Sequence, residues 1–324
     1  MRSWKEWASF AIETGGLAFA HLQQLCIRNC PRLSGGLPGH LPSLTALSIR
    51  KCPQLASSLP IAPLLREIKL DDCGKVSGVE PLINGIELRD MEIKNLSTLP
   101  SRFLPPTMTR LHLEGCHEIE LPIHRCHESL QYLNLWRSCD SLISFPLEIF
   151  PSLKKIQLLE IQNLERLSNS DGSPLLSMYI SCSPSFFRSL KISSCSHLES
   201  FPERGLPSKL VALSLFDCDK LITSRQDWEG QIPPPSLTSL VIFNVGLKSL
   251  DNLGLHHLTC LKNFRIVGCG SLRSMPMKGL SSSLSNLFVH GCPLLAKRCQ
   301  RKKGKDWLLV SHIRCTVIEG VLVT

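Results

Sequence analysis

The sequence predicts an α/β solenoid, with short parallel strands stacked on a concave face and mostly irregular loops on a convex face. Three observations predict it. The core material is aliphatic, since 43% of the 324 residues are hydrophobic but only 6% are aromatic. A pattern of spaced leucines closed by a cysteine recurs along the chain. The stretches between its copies are rich in proline and serine, which favour turns and extended backbone over long helices.

Taken in order, the copies share the form L-x-x-L-x-L-x-x-C-x-x-L. The first is Leu22, Leu25, Ile27, Cys30 and Leu33; the second is Leu44, Leu47, Ile49, Cys52 and Leu55. Leu65, Ile68, Leu70 and Cys73 make the third. A fourth copy, read on Ile83, Ile86, Leu88 and Met91, lacks the cysteine. Met108, Leu111, Leu113 and Cys116 restore the pattern, and Leu130, Leu133 and Leu135 continue to Cys139 with one extra residue. The stretch from Leu153 to Leu167 admits two registers, anchored on Leu153 or on Ile156. Leu175 to Ile180 is a poor copy beside Phe187, Leu190, Ile192 and Cys195. Regular copies then begin at Leu210, Leu237, Leu261 and Leu284.

In L-x-L the two apolar residues stand two apart, so both point to one face of a strand. One repeat cannot bury that face, but stacked repeats share a single leucine core. This is the leucine-rich-repeat template, and it predicts a horseshoe. Residues 1–296 are expected to form about twelve irregular turns. Residues 297–324 form a basic segment and C-terminal cap. From Lys297 onward the chain carries +5 of its formal net charge of +9. Trp307, Leu308, Leu309, Val310 and Ile313 could cover the open end of the core.

The fifteen cysteines are odd in number. The opening Met1-Arg2-Ser3-Trp4 does not read as a signal peptide. We therefore expect free thiols, with the recurrent cysteines acting as small buried apolar groups, and a cytoplasmic or nuclear location. No apolar run is long enough to span a membrane. The G-x-x-x-x-G-K-[ST] phosphate loop is absent; Gly74-Lys75-Val76 and Gly304-Lys305-Asp306 lack its spacing and hydroxyl. Cys116, His117, His124, Cys126 and His127 form the densest set of metal-binding residue types, but they fit no standard finger spacing. No nucleophile with a neighbouring base stands out. Neither cofactor, metal nor enzymatic activity is expected.

The x positions around each L-x-L should face outward on the sheet. They give Arg28, Arg50, Lys51, Arg110, Tyr132, Trp136, Arg137, Phe216, Phe243, Arg265, Phe288 and His290 as the candidate protein-binding surface. Trp136, Phe216 and Phe243 fall at one strand position. Aromatic residues and arginine dominate protein-binding hot spots. Nucleic acid and membrane insertion are not expected.

The punctuation Cys30-Pro31-Arg32-Leu33, Cys52-Pro53-Gln54-Leu55 and Cys292-Pro293-Leu294-Leu295 is distinctive. So are the repeat ends Leu142-Ile143-Ser144-Phe145-Pro146 and Leu198-Glu199-Ser200-Phe201-Pro202, and the finish from Cys292 through Gly304-Lys305-Asp306-Trp307 to His312-Ile313. In these features the whole chain resembles the C-terminal repeat region of plant nucleotide-binding leucine-rich-repeat disease-resistance proteins. The resemblance implies a sensor that reads a pathogen effector or a guarded host protein, or that restrains the receptor through its nucleotide-binding domain. A stand-alone repeat adaptor and a truncated receptor remnant are the alternatives.

Overall fold

The computed structural model describes residues 5, 19–55, 59–73, 87–97, 99, 104–168, 186–202, 205–223 and 233–323. They form two compact units, 1–142 and 143–324. Each is a leucine-rich-repeat stack.

In the first unit six strands run parallel in sequence order: β1 (Gln24–Arg28), β2 (Ala46–Cys52), β3 (Glu67–Cys73), β4 (Asp90–Lys94), β5 (Arg110–Glu114) and β6 (Tyr132–Trp136). The register is unbroken, with Leu25 opposite Leu47, Leu47 opposite Ile68, and Leu111 opposite Leu133. Burial alternates along β2–β6, so the two apolar residues of L-x-L enter the core and their neighbours face outward; in β1 Ile27 is buried and Leu25 half-buried.

In the second unit a short pair, β7 (Ser144–Pro146) and β9 (Arg166–Ser168), forms a separate two-stranded parallel sheet. The main sheet runs through β8 (Lys155–Leu159), β10 (Ser189–Ser193), β11 (Ala212–Phe216), β12 (Ser239–Phe243), β13 (Asn263–Val267), β14 (Asn286–His290) and β15 (Cys315–Ile318). All of these are parallel. A final strand, β16 (Val321–Leu322), turns back antiparallel on β15. Phe145, Phe150, Phe187 and Phe264 are fully buried, and Phe145 stacks on Phe150 at 5.2 Å. Helix is confined to Asp219–Thr223, Pro293–Arg298 and Trp307–Val310 with three 3-10 turns among the described residues.

The structure differs from the sequence expectation at three places and decides between two registers at a fourth. The fourth strand is Asp90–Lys94, with Met91 and Ile93 inward, not a strand on Ile86 and Leu88; Ile83 and Ile86 lie outside the described residues. Leu153 to Leu167 takes the register anchored on Leu153, with Ile156 and Leu158 inward. The extra residue before Leu142 splits one role between two residues. Ser138 fills the cysteine slot and donates to the Trp136 carbonyl at 2.8 Å, while the Cys139 carbonyl accepts the Leu142 N–H at 2.9 Å. Finally, Leu308 is 81% exposed, so Val310 and Ile313, but not Leu308, are buried at the end of the chain. The poor copy at Leu175 to Ile180 lies outside the described residues.

The cysteine slot follows a simple rule. Each thiol donates to the carbonyl two residues earlier: Cys30 to Arg28 at 3.3 Å, Cys52 to Arg50 at 3.3 Å, Cys218 to Phe216 at 3.1 Å and Cys292 to His290 at 3.5 Å. A weak donor satisfied inside an apolar slot is interchangeable with an aliphatic group of similar size. Leu96, Ile161 and Val245 take the slot in other turns and are buried.

Burial pushes the Cys73 and Cys195 thiols up to about 12, because a thiolate is not solvated there. Cys269 is eased downward by the hydrogen bond it shares with Cys292, which is pushed up in turn. Access still decides reactivity. A thiol reagent is expected to modify the exposed Cys26 and Cys260 quickly and the buried ladder slowly in native protein, with all fifteen cysteines reacting after denaturation. Rapid native labelling of Cys116 or Cys195, read by mass spectrometry, would contradict this packing.

Candidate binding surface

In each turn of β1–β6, β8 and β10–β14 the residue just before the cysteine slot is left-handed. In the first unit these are Asn29, Lys51, Asp72, Asn95, Gly115 and Arg137; in the second they are Glu160, Ser194, Asp217, Asn244, Gly268 and Gly291, with φ between 47° and 71°. Glycine, asparagine and aspartate dominate because they enter this region at least cost. At Gly291 the requirement is also spatial, since a Cβ would lie 3.2 Å from the Gly268 backbone. The bend turns the chain off the sheet and so limits the outward face to three positions per strand. Lys51 and Arg137 sit at this bend, beyond the three outward positions. This column was legible as the residue before each cysteine, but sequence reading passed over it.

The two units present different chemistry on those positions. In the first, charges answer one another. Lys69 lies 2.5 Å from Glu67, Lys94 lies 2.7 Å from Glu114 and 3.4 Å from Glu92, and Arg110 lies 3.6 Å from Asp90. The Lys94 hydrogen bond holds the Glu114 carboxyl below its ordinary value, and Glu114 holds Lys94 above its own. His112 accepts from the Asn134 amide at 2.8 Å. Arg110 also covers the Tyr132 ring at 5.2 Å, and Arg137 covers Trp136 at 5.7 Å. Arg28 and Arg50 line a shallow hollow with Cys26, Ser48 and Lys69 at the first strands.

In the second unit the outward positions of β8 and β10–β14 contain no aspartate or glutamate. They contain Lys155, Lys191 and Arg265 together with Leu159, Phe216, Val241, Phe243, Val267 and Phe288. The register sets Phe216 beside Phe243, and their rings lie 5.5 Å apart. Lys191 covers Phe216 at 5.0 Å and Arg265 covers Phe288 at 4.8 Å. His290 is 6.3 Å from Phe288 and 3.5 Å from Glu319. Thus Phe216, Phe243, Arg265, Phe288 and His290 converge on one patch, in which Phe243 is 37% exposed. Trp136 occupies the equivalent strand position in the first unit, as the sequence spacing indicated.

The cysteine–histidine cluster assembles differently. Cys116 is buried and donates to backbone carbonyls, His117 faces Asp140 at 3.2 Å, and His127 is held by the Pro122 carbonyl at 2.7 Å. Among the described residues no group of three or more such side chains is placed to hold a metal. Nor is any helix among them long and apolar enough to cross a membrane.

Comparison with known proteins supplies the family context. No protein-family model matches the chain. The chain is 24% identical over 319 aligned positions to disease resistance protein At3g14460 of Arabidopsis thaliana, covering 72% of this chain and 22% of that protein. The curated relatives are plant disease-resistance proteins. Disease resistance RPP13-like protein 1 of the same plant is 25% identical, with 70% of this chain and 15% of that protein covered. The resistance protein RF45 is 30% identical over 119 residues, or 35% of this chain and 11% of that protein. The chain therefore spans about a fifth or less of each disease-resistance protein it matches.

Among solved structures, a TLR13 complex with single-stranded RNA has a TM-score of 0.32 at 16% identity, covering 78% of this chain and 46% of that one. The functional domain of InlJ from Listeria monocytogenes has a TM-score of 0.33 at 14% identity, covering 85% and 64%.

Proposed function

We propose that this chain is a protein-binding leucine-rich-repeat region of the plant immune-receptor type, acting through the outward strand face and not through catalysis. The observation that carries the reading is the exposed aromatic and arginine patch on the second unit, which strand register assembles from residues far apart in sequence. Large amphipathic side chains of this kind dominate protein interfaces. The similarity to disease-resistance proteins supports a pathogen effector or a guarded host protein as the partner, or the receptor's own nucleotide-binding domain in an autoinhibited state. Arg28, Arg50, Lys51, Arg110, Tyr132, Trp136 and Arg137 extend the proposed surface on the first unit, where ion pairing leaves less charge to offer. Residues 297–324 are proposed to close the repeat stack, and a cytoplasmic or nuclear location fits the free thiols proposed for the whole chain.

Calorimetry tests the reading in two arms. The chain alone is expected to bind no ATP at micromolar affinity. With a protein partner obtained by selection, Phe243→Ala and Arg265→Ala should each weaken binding about tenfold or more. Met277→Ala, on an outer loop and 87% exposed, should leave it unchanged. Binding that survives both strand-face changes but fails with Met277→Ala would overturn the proposal.

A further inference from the structure

We infer that the strand face of the second unit takes an extended acidic segment that also carries aromatic or leucine side chains, an inference that rests on the binding surface proposed above. Two features of the face point to this partner. The first is one-sided charge: eighteen outward positions on six strands hold lysine and arginine but no carboxylate. Lys191 and Arg265 lie over aromatic rings and meet no carboxylate among the described residues. Their charge is left for a ligand, in contrast to Lys94, which Glu114 and Glu92 already neutralise.

The second feature is apolar surface between those cations. Phe216 and Phe243 form a ring pair at 5.5 Å, with Val267 opposite Phe243 in register and Val241 two residues before Phe243 on the same strand, opposite Arg265. A carboxylate approaching Lys191 or Arg265 would bring its neighbouring side chains onto this strip. Extended peptides present alternate side chains to opposite sides, so acidic and apolar residues in mixed order satisfy both features.

Single-stranded nucleic acid is the competing anionic ligand, because bases stack on open aromatic faces. Here Lys191 and Arg265 cover the faces of Phe216 and Phe288 themselves. That arrangement favours carboxylates and aliphatic contact over base stacking.

The test is selection of random phage-displayed peptides on the full chain, followed by fluorescence anisotropy of the enriched peptides and of a uridine oligonucleotide. Enriched peptides should combine Asp or Glu with Phe, Trp or Leu, and should bind more weakly as salt is raised. The double change Lys191→Glu with Arg265→Glu should weaken them about tenfold or more, and Arg265→Lys much less. All these positions are solvent-facing, and unchanged thermal unfolding confirms that each variant folds. Neutral or basic enriched peptides that still need Phe216 and Phe243 would overturn the acidic partner and keep the surface. Peptides indifferent to Phe216→Ser and Phe243→Ser would overturn both. Tighter binding of the oligonucleotide than of any peptide, or a selection that enriches nothing, would also overturn the inference.

Discussion

Leu213→Ala is expected to cost about 2–5 kcal/mol of stability, the largest effect of any single change discussed here. Leu213 lies at the centre of the second unit with no solvent exposure. Its strand neighbours are Leu190 on one side and Leu240 on the other. In a stack each turn is held only by the turns beside it, so the cavity weakens two interfaces at once. The surrounding side chains belong to a regular ladder and cannot close in without breaking register. Neutralising Arg301, Lys302 and Lys303 together should change stability by only a few tenths of a kcal/mol, because all three are exposed. Thermal unfolding of the two variants decides between these outcomes. Equal loss from both would mean that the core has been misplaced.

Asp306→Ala should cost about 2–4 kcal/mol, through loss of a buried, charge-assisted set of hydrogen bonds. The carboxylate is buried. It receives Arg298 Nη2 at 2.7 Å and Nε at 2.9 Å, and the Met275 backbone N–H at 3.0 Å. It thereby ties the C-terminal segment to the loop after β13. The same segment adds β15 to the sheet, and Glu319 accepts the Gly291 and Cys292 N–H groups. Truncation before Asp306 should therefore uncover the edge of β14 and produce aggregation visible by light scattering.

The carboxyl also predicts a pH dependence. Burial raises its pKa, but the Arg298 hydrogen bonds and the Met275 N–H outweigh burial and hold it below the ordinary carboxylate value. The stability it provides is then complete above the unfolded value of about 4 and is lost as pH falls through the lower folded value. Asp306→Asn should flatten unfolding free energy against pH in that acid range. An unchanged acid limb would contradict the assignment.

The strand positions were legible because a leucine core has few ways to be periodic. Wherever Leu-x-Leu led to a cysteine, as at Leu213 and Leu215, the strand formed there. The register failed at Met91 and Ile93 for a physical reason. Met91 replaces leucine and Leu96 replaces the cysteine, and both substitutes fill the slot equally well. At Ser138 a hydroxyl takes over the thiol's hydrogen bond, so the marker itself shifted by one residue. The candidate patch was partly legible, since Phe216 and Phe243 share a strand position that spacing alone reveals. The pairing of Lys94 with Glu114 was not, because the turn that carries Lys94 was read on Ile86 and Leu88, which leaves Lys94 outside the strand. Nor was the Asp306 latch, whose partners Arg298 and Met275 lie in segments without repeat periodicity.

Hydrogen exchange of the chain with and without a selected protein partner tests the central claim most directly, because it maps the bound face without altering a residue. The account predicts protection at the outward strand positions from Ser189–Ser193 to Asn286–His290, with the outer loops around Met277 unchanged. Protection confined to those outer loops, with the strand face exchanging as in the free protein, would contradict it.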